Sequence, residues 1–300
     1  MADWRISGLP AVRASECRGD FPGRGRELPF TAVFELAVFA IGAVVGVVGG
    51  LLGIGGGVFI IPIFTVILHV PIKLAIGASL VSVIATSSMA GAAHVGHGVS
   101  HVKLGIVLEV ATTMGAVAGG LLATAIGGRW LEGGFALLLV ATAFGMRRMK
   151  TEGEAVRPTG VLDTRYVDPA TGTAVRYGVH HLPAGMGASF FAGGMSGLLG
   201  IGGGVVKVPM MTVVMGIPLR AAIATSNFMI GVTAATSALI YLSRGYVAPY
   251  LAVPTALGVL LGAGLEPRLG MRVRSASLKR VFQLLLVGLA VQMLWKAVHA

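Results

Sequence analysis

The chain has 300 residues and a net charge of +11; hydrophobic residues make up 55% of it and charged residues only 12%. A soluble domain carries about 25% charged residues, so this composition, with a mean hydropathy of +0.86, excludes an ordinary soluble protein and indicates an integral membrane protein. The positive charge does not indicate a nucleic-acid partner, because 16 of the 23 basic residues fall in three separate stretches. The single cysteine, Cys17, excludes a disulfide framework and a cysteine-based zinc site.

The chain begins with a polar segment and continues as a series of apolar stretches. Residues 1–29 contain five arginines and no apolar stretch of signal-peptide length, and they predict a disordered basic tail. The apolar stretches that follow mostly reach the roughly 20 residues that a bilayer core requires. In chain order they cover residues 30–52, 73–95, 103–126, 130–145, 183–199, 219–242, 247–265 and 278–298.

Two further apolar stretches, at residues 58–70 and 205–217, have about 13 residues each, which suits helices that enter the membrane only part-way. Lipid offers no partner for open backbone groups, so all of these segments are predicted to be helical. The number of crossings is therefore eight, or ten if the two short segments also cross.

A repeat relates the two halves of the chain. Residues 50–58 recur without change as residues 197–205, and the match continues without a gap at the same offset of 147. A nine-residue identity followed by further matches in phase indicates a duplicated half, and duplicated halves that enclose a site are typical of secondary transporters. The matches beyond the identical segment include Pro62 with Pro209, Pro71 with Pro218, Ser79 with Ser226, and Thr86 with Thr233.

These patterns predict the fold class and the domain boundaries. The expected fold is an all-α polytopic membrane protein with two homologous repeats of four to five helices, each with a glycine-rich helix break. The first transmembrane repeat is expected at residues 30–147 and the second at 183–298. A polar connecting loop, rich in Thr, Arg, Asp and Gly, is expected between them at residues 148–182.

Each repeat contains three consecutive glycines, which predict a break in the helix. Gly42 and Gly46 have the four-residue spacing of a helix-packing stripe, but three glycines in a row point in different directions, and each costs about 1 kcal/mol relative to alanine in a helix. Pro62 and Pro209 support each break by removing one more backbone donor. A break exposes the first amides of the next helix, and these favour an anion. The predicted binding groups are Gly55, Gly56, Gly57, Val58, Gly202, Gly203, Gly204 and Val205.

Polar side chains near the breaks are further candidates for the same site. Lys207 follows the second triplet by three residues, and a charge at membrane depth costs about 2.5 to 3.5 kcal/mol. It is therefore expected to hold an anion, unless its aliphatic stem reaches a nearby interface. Ser79, Ser226 and Asn227 either bond back to their own helices or donate hydrogen bonds to an oxyanion.

Three histidines suggest an alternative function for the protein. His94, His97 and His101 have the spacing i, i+3, i+7, which would place metal ligands on one helix face and would suit a divalent-metal cation carrier. Gly96 interrupts such a helix, so an interfacial helix end is the other interpretation. His94 and Glu109 are also candidates for proton coupling, and for Glu109 the alternative is an acid close to an interface.

The sequence does not predict an enzyme, a cofactor or a bound metal. The glycine triplets lack the Lys-Ser or Lys-Thr that follows a phosphate loop. The segment around Ser196 resembles the serine motif of rhomboid proteases, but the later histidine this would need is only His299, at the chain end. A membrane scaffold without transport would leave the repeated breaks without a purpose.

The glycine motifs at residues 53–57 and 200–204, with Pro62, Pro209 and the segment 224–226, resemble the TauE/SafE permeases of the sulfite-exporter type. The segments 94–98 and 241–245 are similar to the family's segment after the third helix of each half, and the resemblance covers roughly residues 30–298. It implies a multi-pass permease of the cytoplasmic membrane for a small sulfur oxyanion or sulfonate such as sulfite. The expected mechanism is alternating access around a midplane site, with a small anion and the lipid bilayer as partners.

Overall fold

The computed structural model describes residues 32–145, 161–167 and 172–270, together with the single positions 284, 288 and 292. The tail predicted at 1–29 lies outside the described residues, as does most of the span predicted at 278–298. The described part contains ten α-helices and one two-stranded hairpin.

Six helices lie before the hairpin and four after it. The first group comprises α1 (Ala32–Leu52), α2 (Gly57–Pro62), α3 (Ile72–Thr86), α4 (Ala92–Gly96), α5 (Val102–Ala125) and α6 (Gly128–Gly145). A π-helical segment, Ile63–Ile67, extends α2, and another, Ser87–Gly91, joins α3 to α4 as one helix. The second group comprises α7 (Leu182–Leu199), α8 (Gly204–Val213), α9 (Leu219–Ser243) and α10 (Pro249–Gly270).

The apolar stretches in the described part each coincide with one of these helices to within a few residues. Four helical segments are long and apolar enough to cross a membrane, namely Phe34–Leu52, Ile72–Gly96, Val102–Ala125 and Leu219–Ser243. Shorter apolar helices occur at Gly57–Ile67, Gly204–Val213 and Pro249–Leu265. The chain is therefore a predominantly helical, multi-pass membrane protein.

Glycines bring two pairs of parallel helices into direct backbone contact. A Cβ atom added to Gly193 of α7 would overlap the Thr112 carbonyl of α5, and one added to Gly46 of α1 would overlap the Val259 carbonyl of α10. In each pair, residues later in one helix contact residues later in the other. The two helices of each pair therefore run parallel. Small residues permit this approach, and close packing replaces the hydrophobic effect as the cohesive force between helices in lipid.

The short helix α8 runs back beside α7 toward the end at which α7 begins. Met215, two residues after α8, lies against Gly185 near the start of α7: a Cβ on that glycine would be 2.7 Å from the methionine sulfur. The same part of the structure contains the start of α5, where the His101 amide donates to the Thr225 Oγ1 of α9 at 2.9 Å. The helices α5, α7 and α9 therefore begin at one common end of the structure.

A β-hairpin, which the sequence analysis did not predict, covers this end. Strands β1 (Val161–Val167) and β2 (Ala174–Val179) pair antiparallel within the segment expected to be a polar loop. Tyr166 and Tyr177 are 3% and 1% exposed, and they pack in one cluster with Leu104 of α5 and Met211 of α8. Burial raises the pKa of the Tyr177 phenol. The hairpin thus closes the end at which α5 and α9 begin and α8 ends.

Candidate functional site

Between α1 and α2 the backbone leaves the helical conformation at glycines. Gly53, Gly55 and Gly56 have φ angles of 71°, 74° and 77°. This left-handed region is one that glycine adopts without steric cost and that other residues seldom adopt. Between α7 and α8, Gly200, Gly202 and Gly203 occupy the same region, with φ angles of 69°, 73° and 78°.

Reciprocal hydrogen bonds join each glycine segment to a helix of the other half. Ser79 Oγ of α3 donates to the Gly200 carbonyl at 2.7 Å, and Ser226 Oγ of α9 donates to the Gly53 carbonyl, also at 2.7 Å. Both serines are fully buried. In this conformation, two of the predicted substrate donors therefore hold the segments together, and their role toward an anion stays a prediction.

Asn227 adds a third contact between the halves. Its Nδ2 donates to the Gly50 carbonyl at 2.9 Å, whereas its Oδ1 is buried and has no hydrogen-bond partner. Its own carbonyl accepts a bond of 2.6 Å from Ser87 Oγ in the π-helical segment before α4. Asn227 is thus part of the contact between α1, α9 and the long helix Ile72–Gly96.

The first turns of α2 and α8 lie inside the protein. Gly57, Val58, Gly204 and Val205 are buried, and amides in the first turn of a helix have no intrahelical acceptor. Pro62 and Pro209, which were predicted to support the breaks, lie within α2 and α8, after the glycines at which the helices are interrupted. The role of these amides toward a ligand stays a prediction.

Lys207 of α8 is fully buried and lies in a cluster with Glu109 of α5 and Thr233 of α9. Its Nζ donates to Glu109 Oε2 at 3.2 Å and to Thr233 Oγ1 at 2.9 Å. Thr233 Oγ1 in turn donates to Glu109 Oε1 at 2.6 Å. The lysine therefore does not reach an interface, and the glutamate proposed for proton coupling is its direct partner.

The second half also contains buried hydroxyl groups without partners. Ser196 and Ser189 of α7 are fully buried, and neither Oγ atom has a hydrogen bond. Sequence reasoning missed both serines and Thr233 as site candidates. The sequence feature that could have indicated the two serines is their seven-residue spacing, which places both on one face of a helix. Lys207 follows that helix after the break.

The three histidines do not converge on one point. His94 Nδ1 lies 2.6 Å from the Ala90 carbonyl, His97 Nδ1 lies 2.7 Å from the Ala93 carbonyl, and His101 Nε2 lies 3.0 Å from the Leu162 carbonyl of the hairpin. Among the residues that the structure describes, no group of three or more His, Cys, Asp or Glu side chains could hold a metal ion.

Helices that pack through glycine, with a charged cluster and glycine breaks in their interior, are the features of a membrane transporter. The sequence profile described as Sulfite exporter TauE/SafE matches residues 38–293. The chain therefore belongs to the TauE/SafE family of sulfite-exporter-type membrane permeases.

Curated relatives match the chain over most of its length. The probable membrane transporter protein YunE of Bacillus subtilis is 23% identical over 269 residues, which cover 87% of this chain and 97% of that protein. A probable membrane transporter protein of Xylella fastidiosa (strain 9a5c) is 27% identical, with coverage of 85% and 93%. One of Methanocaldococcus jannaschii is 26% identical, with coverage of 82% and 88%. No solved structure gives a significant match.

Proposed function

We propose that the protein is a secondary transporter of a small anion, with sulfite as the first candidate. The observation that carries this proposal is the fully buried Lys207, which lies three residues after a break between two helices. The family supports the same substrate class through its description as sulfite exporters. The protein is expected to act in the cytoplasmic membrane.

The cluster around Lys207 supports binding of an anion. The carboxylate of Glu109 accepts from both Lys207 and Thr233, so it occupies the place that the oxygens of an anionic substrate would take. A buried ammonium retains its charge only with such a partner. When a substrate anion replaces the Glu109 carboxylate beside Lys207, the positive charge of the lysine stays balanced during transport.

Alternating access requires two bodies that move around this site. The repeat predicts such bodies, and the reciprocal bonds from Ser79 and Ser226 are related by the repeat offset. The repeat-related helices α3 and α9 run antiparallel: Gly91 approaches the Asn227 backbone, whereas Ser87, earlier in the chain, approaches Gly231. Inverted repeats of this kind rock around a midplane site in secondary transporters.

Flux measurements in proteoliposomes test the proposal. We expect saturable uptake or release of radiolabelled sulfite, reduced by unlabelled thiosulfate or small sulfonates, and no flux of manganese or zinc. Empty liposomes and a folded but unrelated membrane protein are the controls. Correctly folded protein that moves none of these anions, or that moves a divalent metal instead, would contradict the proposal.

Glu109→Gln is expected to remove the coupling of anion transport to protons. Among the described residues, the charged partner of Glu109 is Lys207 of α8, and its uncharged partner is Thr233 of α9. In the wild type the Glu109 carboxylate competes with the substrate for Lys207, so coupling of the two fluxes requires this carboxyl group. The glutamine cannot take up a proton, and the KM of Glu109→Gln should vary by less than roughly twofold between acid and neutral pH.

Thiosulfate is the appropriate probe for this measurement, because its charge does not change in that pH range. A pH gradient should drive its accumulation in vesicles with wild-type protein, whereas vesicles with Glu109→Gln should only equilibrate it. Unchanged proton-driven accumulation in the variant would show that Glu109 does not couple the two fluxes.

A further inference from the structure

We propose that the anion binds at the second glycine break alone, between Ser196 of α7 and Lys207 of α8, and that the first break serves packing only. This inference rests on the proposed function and specifies the site of that function. The ligand is a small oxyanion, held by the ammonium of Lys207 and by hydroxyl donors.

Ser196 of α7 and Lys207 of α8 approach each other at Gly203. A Cβ atom added to Gly203 would lie 3.2 Å from the Ala192 carbonyl oxygen and 3.5 Å from both Lys207 Cε and Ser196 Cβ. A side chain at this position would therefore crowd the Ala192 carbonyl. Glycine lets the lysine stem and the serine lie close to one point beside the second break.

The first break has an apolar side chain in this place. At the matching position, a Cβ on Gly56 would lie 2.8 Å from Val45 Cγ1. Val45 matches the smaller Ala192 at the repeat offset. The positions that match Ser196 and Lys207 are Gly49 and Ile60, which carry no polar group.

Two serine hydroxyls in the second half make no hydrogen bond within the protein. Ser196 and Ser189 are fully buried, and their hydroxyls have no hydrogen-bond partner. An unpaired buried hydroxyl is destabilising, and native proteins retain few of them. Their counterparts in the first half are Gly49 and Gly42, so the packing of the repeat does not require a serine at either position.

Glu109 belongs to the same one-sided arrangement. The position that matches it at the repeat offset is Ala256, so the acid that balances Lys207 has no counterpart at the first break. Thr233 does have one, Thr86, whose Oγ1 donates to the backbone carbonyls of Gly55 and Ser82 and not to a charged group. Ammonium, carboxylate and orphan hydroxyls thus occur together only at the second break among the described residues.

The donors define the chemistry of the ligand. An anion that takes the place of the Glu109 carboxylate accepts from the Lys207 ammonium and the Thr233 hydroxyl, and Ser196 offers a third donor. The first-turn amides of α8, at Gly204 and Val205, lie next to Gly203. A compact anion with three or more oxygens accepts from all of these groups, and sulfite fits this description better than a bulky aryl sulfonate.

Two reciprocal substitutions that change the size of one side chain test the location of the site. Ala192→Val places beside the second break the side chain that the first break already accommodates, and it should raise the KM for sulfite roughly tenfold or more by crowding Ser196 and Lys207. Val45→Ala makes the converse change at the first break and should leave the KM within about twofold of wild type. An equal effect of both variants would overturn the one-sided site.

Ser196→Ala tests the hydroxyl independently of size. Loss of one hydrogen bond to a charged ligand should raise the KM roughly tenfold, and Ser196→Thr should restore it. The melting temperature of ligand-free Ser196→Ala should be equal to or above that of wild type, because the unpaired hydroxyl is gone; a lowered melting temperature would indicate a structural role.

The outcomes separate this inference from the proposed function. If the wild type transports sulfite while Ala192→Val and Ser196→Ala keep its KM within about twofold, the one-sided site is wrong and the transport function stands. If folded wild-type protein moves no anion, the proposed function itself fails. Should Ala192→Val fail to fold, Ser196→Ala and its threonine control decide the question.

Discussion

Lys207→Ala should reduce sulfite flux at least about a hundredfold, which is the largest effect on transport that we expect from one substitution. The ammonium is the charged donor that the cluster offers to an anion, and no described neighbour replaces it. The substitution also leaves the Glu109 carboxylate buried without its cation, which costs about 3–5 kcal/mol in stability. The flux and the melting temperature of the purified protein are therefore measured together.

The double variant Lys207→Ala with Glu109→Gln separates the two effects. It removes both charges, so the melting temperature should return toward that of wild type while sulfite flux stays lost. If the double variant or a folded Lys207→Ala protein transports sulfite normally, the lysine does not bind the anion.

Gly193→Ala should give the largest loss of stability, because its Cβ would overlap a backbone carbonyl and not a movable side chain. The carbonyl belongs to Thr112, and the repeat-related Gly46 has the same relation to Val259. We expect either substitution to lower the free energy of unfolding by about 3 kcal/mol, the upper end of the usual range for overpacking. Thermal unfolding in detergent measures the change.

Gly187→Ala is the matched control for this prediction. Gly187 lies on the same helix, α7, and a Cβ there would have no neighbour within 4 Å. Alanine also has the higher helix propensity, so the control should be as stable as wild type or slightly more stable. A similar loss of stability in both variants would show that the α5–α7 contact is not the cause.

The positions of the membrane helices could be predicted from the sequence because lipid requires long apolar segments with internally bonded backbone. The first residues of α8 and α9 follow from the same rule, together with Gly204, which begins α8, and Pro218, which directly precedes α9. The β-hairpin could not be predicted in this way. Its stability depends on burial of Tyr166 and Tyr177 against helices distant in sequence, and a polar loop with scattered valines gives no sign of such a partner.

The site was predictable only in part. Lys207 and Glu109 each stand out as charges in apolar surroundings, but they are 98 residues apart and only the packing of α5 beside α8 and α9 brings them together. Ser79 and Ser226 were predicted as donors near the breaks, and the structure gives their hydroxyls to backbone carbonyls of the opposite half. The orphan state of Ser196 is a property of the folded interior, and residue type alone does not reveal it.

The crossed serine bonds have a consequence for how the chain is assembled in the membrane. Ser79 satisfies a carbonyl at Gly200, and Ser226 satisfies one at Gly53, so each set of helices supplies a donor that the other lacks. Lipid offers no donor to an unbonded carbonyl. The helices that are synthesised first therefore complete their hydrogen bonding only when the later ones have been inserted.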